Sequence, residues 1–328
     1  MTKSSYKLLA YSLLFFVVFY SCSNPFKIDL KGIDQANVHI ERYERALFQQ
    51  GLDGEYIKEL QLQFPLFLGN DGLDSMQMEQ LLSFVRDPYL RKLYEETEKT
   101  YPDLSNIEQE LSISFSRIKY YFPTFVYPEV YSYISGNQDA AFYQDGIVMV
   151  SLDHYLGYGH EAYNVTQTPK YKQFVMSPDY FVRDILMALA EHFIAQTPQE
   201  AHLIDHMIYQ GKLLYFIKSM LPEMSDQVLF AQTSSHMEWL YGKERDLWRY
   251  YIENELLYKS DYMAYNNFIN DAPFTSVLGD DSAPRTGIWL GYQIVYSFME
   301  KNELSLVDLL KENNGQKLLI KSGYKPTK

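Results

Sequence analysis

The chain has 328 residues, of which 42 are acidic and 29 basic, giving a formal charge of −13. That balance repels a phosphate backbone, and no concentrated basic run precedes the C-terminal tail, so nucleic-acid binding is excluded. With 47% hydrophobic residues, 30 tyrosines and 20 phenylalanines, the chain can bury a large aromatic core in one domain or two intimate ones.

In chain order, Lys3 and Lys7 precede an almost wholly apolar run over residues 8–20, and Ser21-Cys22 follows at once. A membrane-crossing helix needs about 17 to 25 apolar residues, more than this run supplies. The layout is that of an export signal. It predicts a lipoprotein signal peptide over residues 1–21, with cleavage before Cys22 and lipid attached there. Phe19-Tyr20-Ser21 departs from the Leu usual in a lipobox but keeps the small residue before the cysteine. With Ser23 rather than Asp after the cysteine, the resemblance to sorted lipoproteins implies the outer membrane. Cys22 is the sole cysteine, so the folded part holds neither a disulfide nor a thiolate metal site. Residues 22–34 are expected to be a tether, residues 35–316 a single mostly helical envelope domain, and residues 317–328 a basic tail with Lys317, Lys321, Lys325 and Lys328.

Residues 38–43 alternate and predict a strand, followed by a brief helix over 45–50. Leu52, Tyr56 and Leu60 give a helical face within 51–63. Asn70-Asp71-Gly72 is a turn; Asp71, Gly72, Asp74 and Glu79 resemble a calcium loop superficially but lack its earlier acids, so a solvated turn is the reading. Helices are predicted over 76–84, 89–101 and 105–121, the last with Ile107, Leu111, Phe115 and Ile118 on one face, Ser105 and Asn106 as caps and Pro123 as terminator. The period then changes. Residues 124–134, 140–142 and 146–152 predict a small sheet, and Gly157-Tyr158-Gly159 starts a loop. Helices resume near Asp179 and dominate through Leu310, giving an α+β class that is mostly α-helical.

His202 and His206 lie four apart on one predicted helical face, the spacing by which a metalloprotease presents two imidazoles to zinc. Leu203 stands where that motif has its catalytic glutamate, and a third ligand would have to come from Glu191, His192 or Glu200, so capping or core-edge roles are the reading. Asp153-His154 and His160-Glu161 flank the glycine-rich loop, as local hydrogen-bonding groups in preference to acid–base pairs. No nucleophile triad, phosphate loop or dinucleotide fingerprint is present. The sequence therefore predicts no catalytic, cofactor-binding or metal-binding residues. In the last third, Arg285, Trp289 and Gln293 share one predicted face. Exposed, they suit carboxylate or carbohydrate recognition; buried, Arg285 requires a partner such as Asp280, Asp281 or Glu300. Gly287 and Gly291 permit close approach of another element.

Cys22, the run from Gly146 to Gly157 that contains Asp153-His154-Tyr155-Leu156-Gly157, Gly211-Lys212-Leu213-Leu214-Tyr215-Phe216, Leu221-Pro222, and the block from Ala272-Pro273-Phe274-Thr275 to Gly291-Tyr292-Gln293 together resemble the GldB family of gliding motility lipoproteins of Bacteroidetes. The likeness spans essentially the whole chain, and its last block is the most specific part. It implies a lipid-anchored envelope protein required for gliding, linked to the type IX secretion apparatus, that acts as a non-enzymatic assembly or interaction factor. The alternatives are an envelope peptide or glycan hydrolase and passive glycan binding through Trp289, Trp239 or Trp248. The family is also distantly similar to glutamate-ligand zinc peptidases. In that comparison residues 148–152 resemble the edge strand and residues 185–196 the zinc-site helix. Gln210-Gly211 takes the place of Glu-Gly, so the implied fold is a degenerate zincin-like one with an inactive groove.

Overall fold

A computed structural model describes residues 25–48, 54–138 and 140–326. Residues 1–24, with the expected signal peptide and Cys22, lie outside the described residues, as do Thr327 and Lys328. Helix accounts for 59% of the structure beside one four-stranded sheet, so the class is mostly helical α+β.

The sheet comprises β1 (Ile40–Arg42), β2 (Glu129–Tyr133), β3 (Ala141–Gln144) and β4 (Ile147–Ser151), in the order β1-β2-β4-β3. β1, β2 and β4 run parallel, with Ile40 beside Val130 and Val130 beside Val148. β3 returns antiparallel to β4 through Asp145-Gly146, both at positive φ, the conformation a two-residue hairpin needs to match strand twist. The zinc-peptidase comparison assigned the edge position to residues 148–152; the hairpin makes β3 the edge and leaves β4 inside the sheet. Side chains alternate across the strands. Val130, Val148 and Val150 join the main core, whereas Tyr131 and Tyr133 turn to a second cluster of Tyr43, Phe64, Leu93 and Tyr163.

At the centre of the main core is the helix Leu203–Met220, whose buried positions run all round its circumference. It crosses the helix Thr286–Lys301 at two glycines. A Cβ on Gly291 would lie 1.9 Å from the Met207 carbonyl oxygen, and one on Gly211 would lie 2.5 Å from the Gly291 carbonyl carbon. Here the backbones themselves are in contact, which is the close approach expected of Gly291. Gly287 serves a second such contact, with Phe268.

The expected helix over 105–121 is present with those bounds, but Ser105 is its first helical residue and donates to Asp103, while Leu104 holds the cap position. The expected strand over 38–43 shortens to β1, because Tyr43 already begins the helix Tyr43–Leu47. Both ends of the domain reach further than expected. Phe26, placed in the tether, is buried against Tyr215 with ring centroids 5.1 Å apart, and its carbonyl accepts from Arg117 at 2.5 Å. Residues of the expected basic tail form the helix Gly315–Ser322, which buries Leu318 while its lysines stay outside. Tyr324 then packs on Trp248 and donates to Glu244 at 2.5 Å. Apolar residues spaced between the lysines and a terminal tyrosine are what draw this segment into the body.

Candidate functional site

A cleft of about 550 Å³ opens where six separated segments meet: residues 137–138, His154, residues 166–176, the start of the helix Phe181–Phe193, residues 231–236, and the loop from Asp271 to Arg285. The loop is cross-tied from within. Thr275 donates to the Ala283 carbonyl at 2.8 Å, and the buried Ser282 hydroxyl joins both the Thr275 and Gly279 carbonyls. These bonds satisfy backbone groups that a buried loop would otherwise leave unpaired.

Arg285 caps the helix Thr286–Lys301 with left-handed backbone angles, φ 54° and ψ 40°. Its Nη2 donates to the carbonyls of Phe230 and Ala231 at 2.8 and 2.7 Å, and Nη1 faces Asp271 at 3.4 Å. The partner is thus Asp271, not Asp280, Asp281 or Glu300. Ala231 is also left-handed, at φ 50°. Two non-glycine residues in this region each cost roughly 1–3 kcal/mol, so the surrounding bonds hold them there. Burial pushes the Arg285 guanidinium below its ordinary value, against the opposing pull of Asp271. The same burial, with Arg285 nearby, lowers His236.

Gln232 follows Ala231, is almost completely buried, and donates through Nε2 to the Pro284 carbonyl at 2.9 Å. Its Oε1 is buried with no hydrogen-bond partner, and so is Oδ1 of Asn137, another residue of the cleft lining. Asn137 is held in place by Asp153, whose buried carboxylate accepts from the backbone N–H groups of Ser135 and Asn137 at 2.9 and 2.7 Å and from the Ser151 hydroxyl at 2.5 Å. Asp153 is therefore committed to the loop, while His154 beside it lines the cleft. Arg183 and Asp184 complete the floor. Arg183 donates to the Leu229 carbonyl and to Asp184, and the other Asp184 oxygen accepts from Tyr155 at 3.1 Å. The cleft thus offers fixed charges and hydrogen-bonding groups against walls of proline and aliphatic side chains.

Other sequence candidates lie apart from this site. Trp289 is 2% exposed, enclosed by Phe230 and Tyr241, and Gln293 one turn on does not line the cleft. The three-residue face of Arg285, Trp289 and Gln293 therefore divides, with only Arg285 reaching the cleft. His202 caps the central helix, and its N–H donates to Asp205, whose other oxygen accepts from the Gly315 N–H at 3.0 Å. His206 packs edge-on to Tyr265. His160 faces Glu96 and Glu161 pairs with Lys92, so those neighbours do not face each other. Among the described residues no three His, Cys, Asp or Glu side chains gather as a metal ligand set. Glu191-His192, the peptidase comparison's site, lies at the opposite end of its helix from the cleft floor at Arg183-Asp184.

Sequence reasoning did not single out Arg183, Gln232 or His236. Arg183 and Asp184 did carry a signal, a charged pair in the first turn of an otherwise apolar helix.

The model of the family described as gliding motility protein GldB matches residues 23–326. The chain belongs to the GldB family. No curated protein and no solved structure matches it. Two of the blocks that carry the GldB resemblance, residues 146–157 and 272–293, meet at this one cleft through His154, Ala272, Pro273, Pro284 and Arg285. A gliding motility lipoprotein family implies lipid anchoring at the envelope. Among the described residues no helix is long and apolar enough to cross a membrane.

Proposed function

We propose that this GldB protein is anchored by lipid on Cys22, at the outer membrane, and serves gliding as a non-enzymatic factor that binds a component of the motility or type IX secretion machinery. The observation that carries the reading is the convergence of the family-bearing blocks on a cleft whose buried charges are paired and which is lined by two residues with buried, unpaired amide oxygens. Such a surface is equipped to hold a ligand. Trp289, offered by the sequence for glycan stacking, is enclosed in the core, so carbohydrate recognition through it has no exposed ring to use.

A photo-crosslinking residue at Tyr171, on the cleft rim, tests the reading in intact gliding cells. One reproducible envelope partner, lost when the probe is moved to exposed Tyr262 far along the chain, is the expected result. No partner at position 171 across gliding conditions contradicts it. The anchor is tested separately. Cys22→Ala abolishes lipid labelling and releases the folded domain from the membrane; labelling that survives the substitution refutes the assignment.

A further inference from the structure

We propose that the cleft takes an extended peptide bearing a carboxylate, with Arg285 and Lys172 meeting the carboxylate and the amide oxygens of Gln232 and Asn137 accepting from peptide N–H groups. This inference rests on the binding reading above and names its ligand. Two observations made independently of each other point to it. The first is charge. In a chain of net −13, Arg285, Arg183 and Lys172 are gathered at one opening. Arg183 is matched by Asp184, but the acid facing Arg285 is Asp271, 3.4 Å away with a side chain 64% exposed. An incoming carboxylate displaces little in replacing it. Both Nη2 hydrogens of Arg285 are held by the Phe230 and Ala231 carbonyls, so Nη1, the nitrogen facing Asp271, is the charge-assisted donor an incoming carboxylate meets.

The second is the pair of buried acceptors. Gln232 and Asn137 are both more than nine-tenths buried, both line the cleft, and each has a side-chain oxygen without a donor. An unmet buried acceptor costs about 1–3 kcal/mol; neither oxygen is open to solvent as placed, so a ligand donor removes that cost by drawing the amide toward the cleft. The ligand must then supply both an anion and N–H or O–H donors. Inorganic phosphate at neutral pH supplies the anion but few donors; a neutral sugar supplies donors without the anion. A peptide supplies both along one extended chain. Pro169, Pro273, Pro284 and Met176 give its aliphatic side chains apolar walls. An acidic glycan also combines anion and hydroxyl donors, but the aromatic rings it would stack on are confined to Tyr171 and Phe174.

The test uses the full-length lipoprotein in detergent and four probe sets: acetylated hexapeptide libraries with free C-terminal carboxylate, the same libraries amidated, libraries with Asp and Glu replaced by Asn and Gln, and uronic-acid oligosaccharides. Saturable binding of a carboxylate-bearing peptide is expected, at least tenfold weaker once its carboxylate is removed. Whether amidation or the Asn/Gln replacement causes the loss tells a chain terminus from an acidic side chain. Arg285→Gln should reduce affinity at least tenfold. Because Arg285 also ties the Phe230 and Ala231 carbonyls, Lys172→Glu on the exposed rim is the fold-safe companion, expected to weaken binding severalfold with an unchanged melting temperature. Binding of the glycan alone, or peptide binding indifferent to the carboxylate or to both substitutions, overturns the proposal. If that happens while position 171 still crosslinks a partner, the ligand class is wrong and the binding function stands; if crosslinking fails too, the function itself falls.

Discussion

One helix, Thr286–Lys301, serves two regions built on opposite terms. At Gly291 it meets the central helix backbone to backbone, a contact with no room for a single methyl group. Arg285, six residues earlier and about 9 Å along the axis, ends it in a cleft where buried polar atoms are left without partners. The first region is a dry crossing that admits one arrangement. The second keeps unmet hydrogen-bonding capacity, tolerated because the first holds the helix rigid. On the proposed function, stability and recognition are neighbours on the same element, and the division between them is about one and a half turns wide.

The largest expected effect breaks the rigid half. Gly291→Leu drives a side chain into the Met207 carbonyl, which cannot rotate away, so the helices must separate; a loss above about 3 kcal/mol is expected, beyond ordinary overpacking. Thermal unfolding checks it, and a melting temperature within a degree or two of the parent contradicts the crossing described. Second in size is Asp153→Ala, which leaves two backbone N–H groups buried under the cleft without an acceptor, a cost of about 2–4 kcal/mol, with Asn137 freed from its position. Denaturant unfolding measures the cost. An unchanged midpoint would mean that the loop over 135–137 is held by something else.

The next effects sharpen the comparison by touching the cleft alone. Arg285→Gln removes the bonds to Phe230 and Ala231 but also the burial penalty of a guanidinium, so its stability loss is expected to stay near about 1–2 kcal/mol while motility is lost. Colony spreading alongside the melting temperature separates the two. Smallest is a pH effect. His236 and His206 are held below the ordinary histidine value by burial. With the folded value below the unfolded value of about 6.5, the unfolded chain takes up protons first as pH falls, and stability present above that pH is lost beneath it. His236→Gln should flatten part of the fall in melting temperature between about pH 7 and about pH 5.5. Equal slopes for parent and variant contradict the assignment to His236.

Much of the fold was legible because it is local. The helix Ser105–Tyr121 announced itself by its apolar spacing and the proline beyond it, and the close approach at Gly291 by a glycine in an apolar helix. The sheet order was legible only at one end: Asp145-Gly146 is a hairpin signal joining β3 to β4, but the parallel pairing of β4 with β2 and of β2 with β1 joins strands distant in the sequence and has no local signal. The cleft was legible only in pieces. Arg285 stood out, but its partners Phe230, Ala231 and Asp271 are acceptors whose relevance depends on where the chain turns. Trp289 shares a face with Arg285 as its spacing requires, yet Phe230 and Tyr241 arrive from elsewhere to cover it. Gln232 has no local signature at all; its significance lies in an oxygen that the fold leaves unpaired.

The central claim, that this GldB protein acts in gliding by what its cleft binds, is tested most directly by filling the cleft. Ala272 is half-buried in its wall, and Ala272→Trp occupies the space without removing a charge or a hydrogen bond of the floor. In cells whose only copy carries this substitution, colony spreading is to be measured against the amount of protein in the membrane fraction. The account predicts that spreading is lost while the protein remains at parental level and melts at the parental temperature. Full spreading at equal protein level would contradict it.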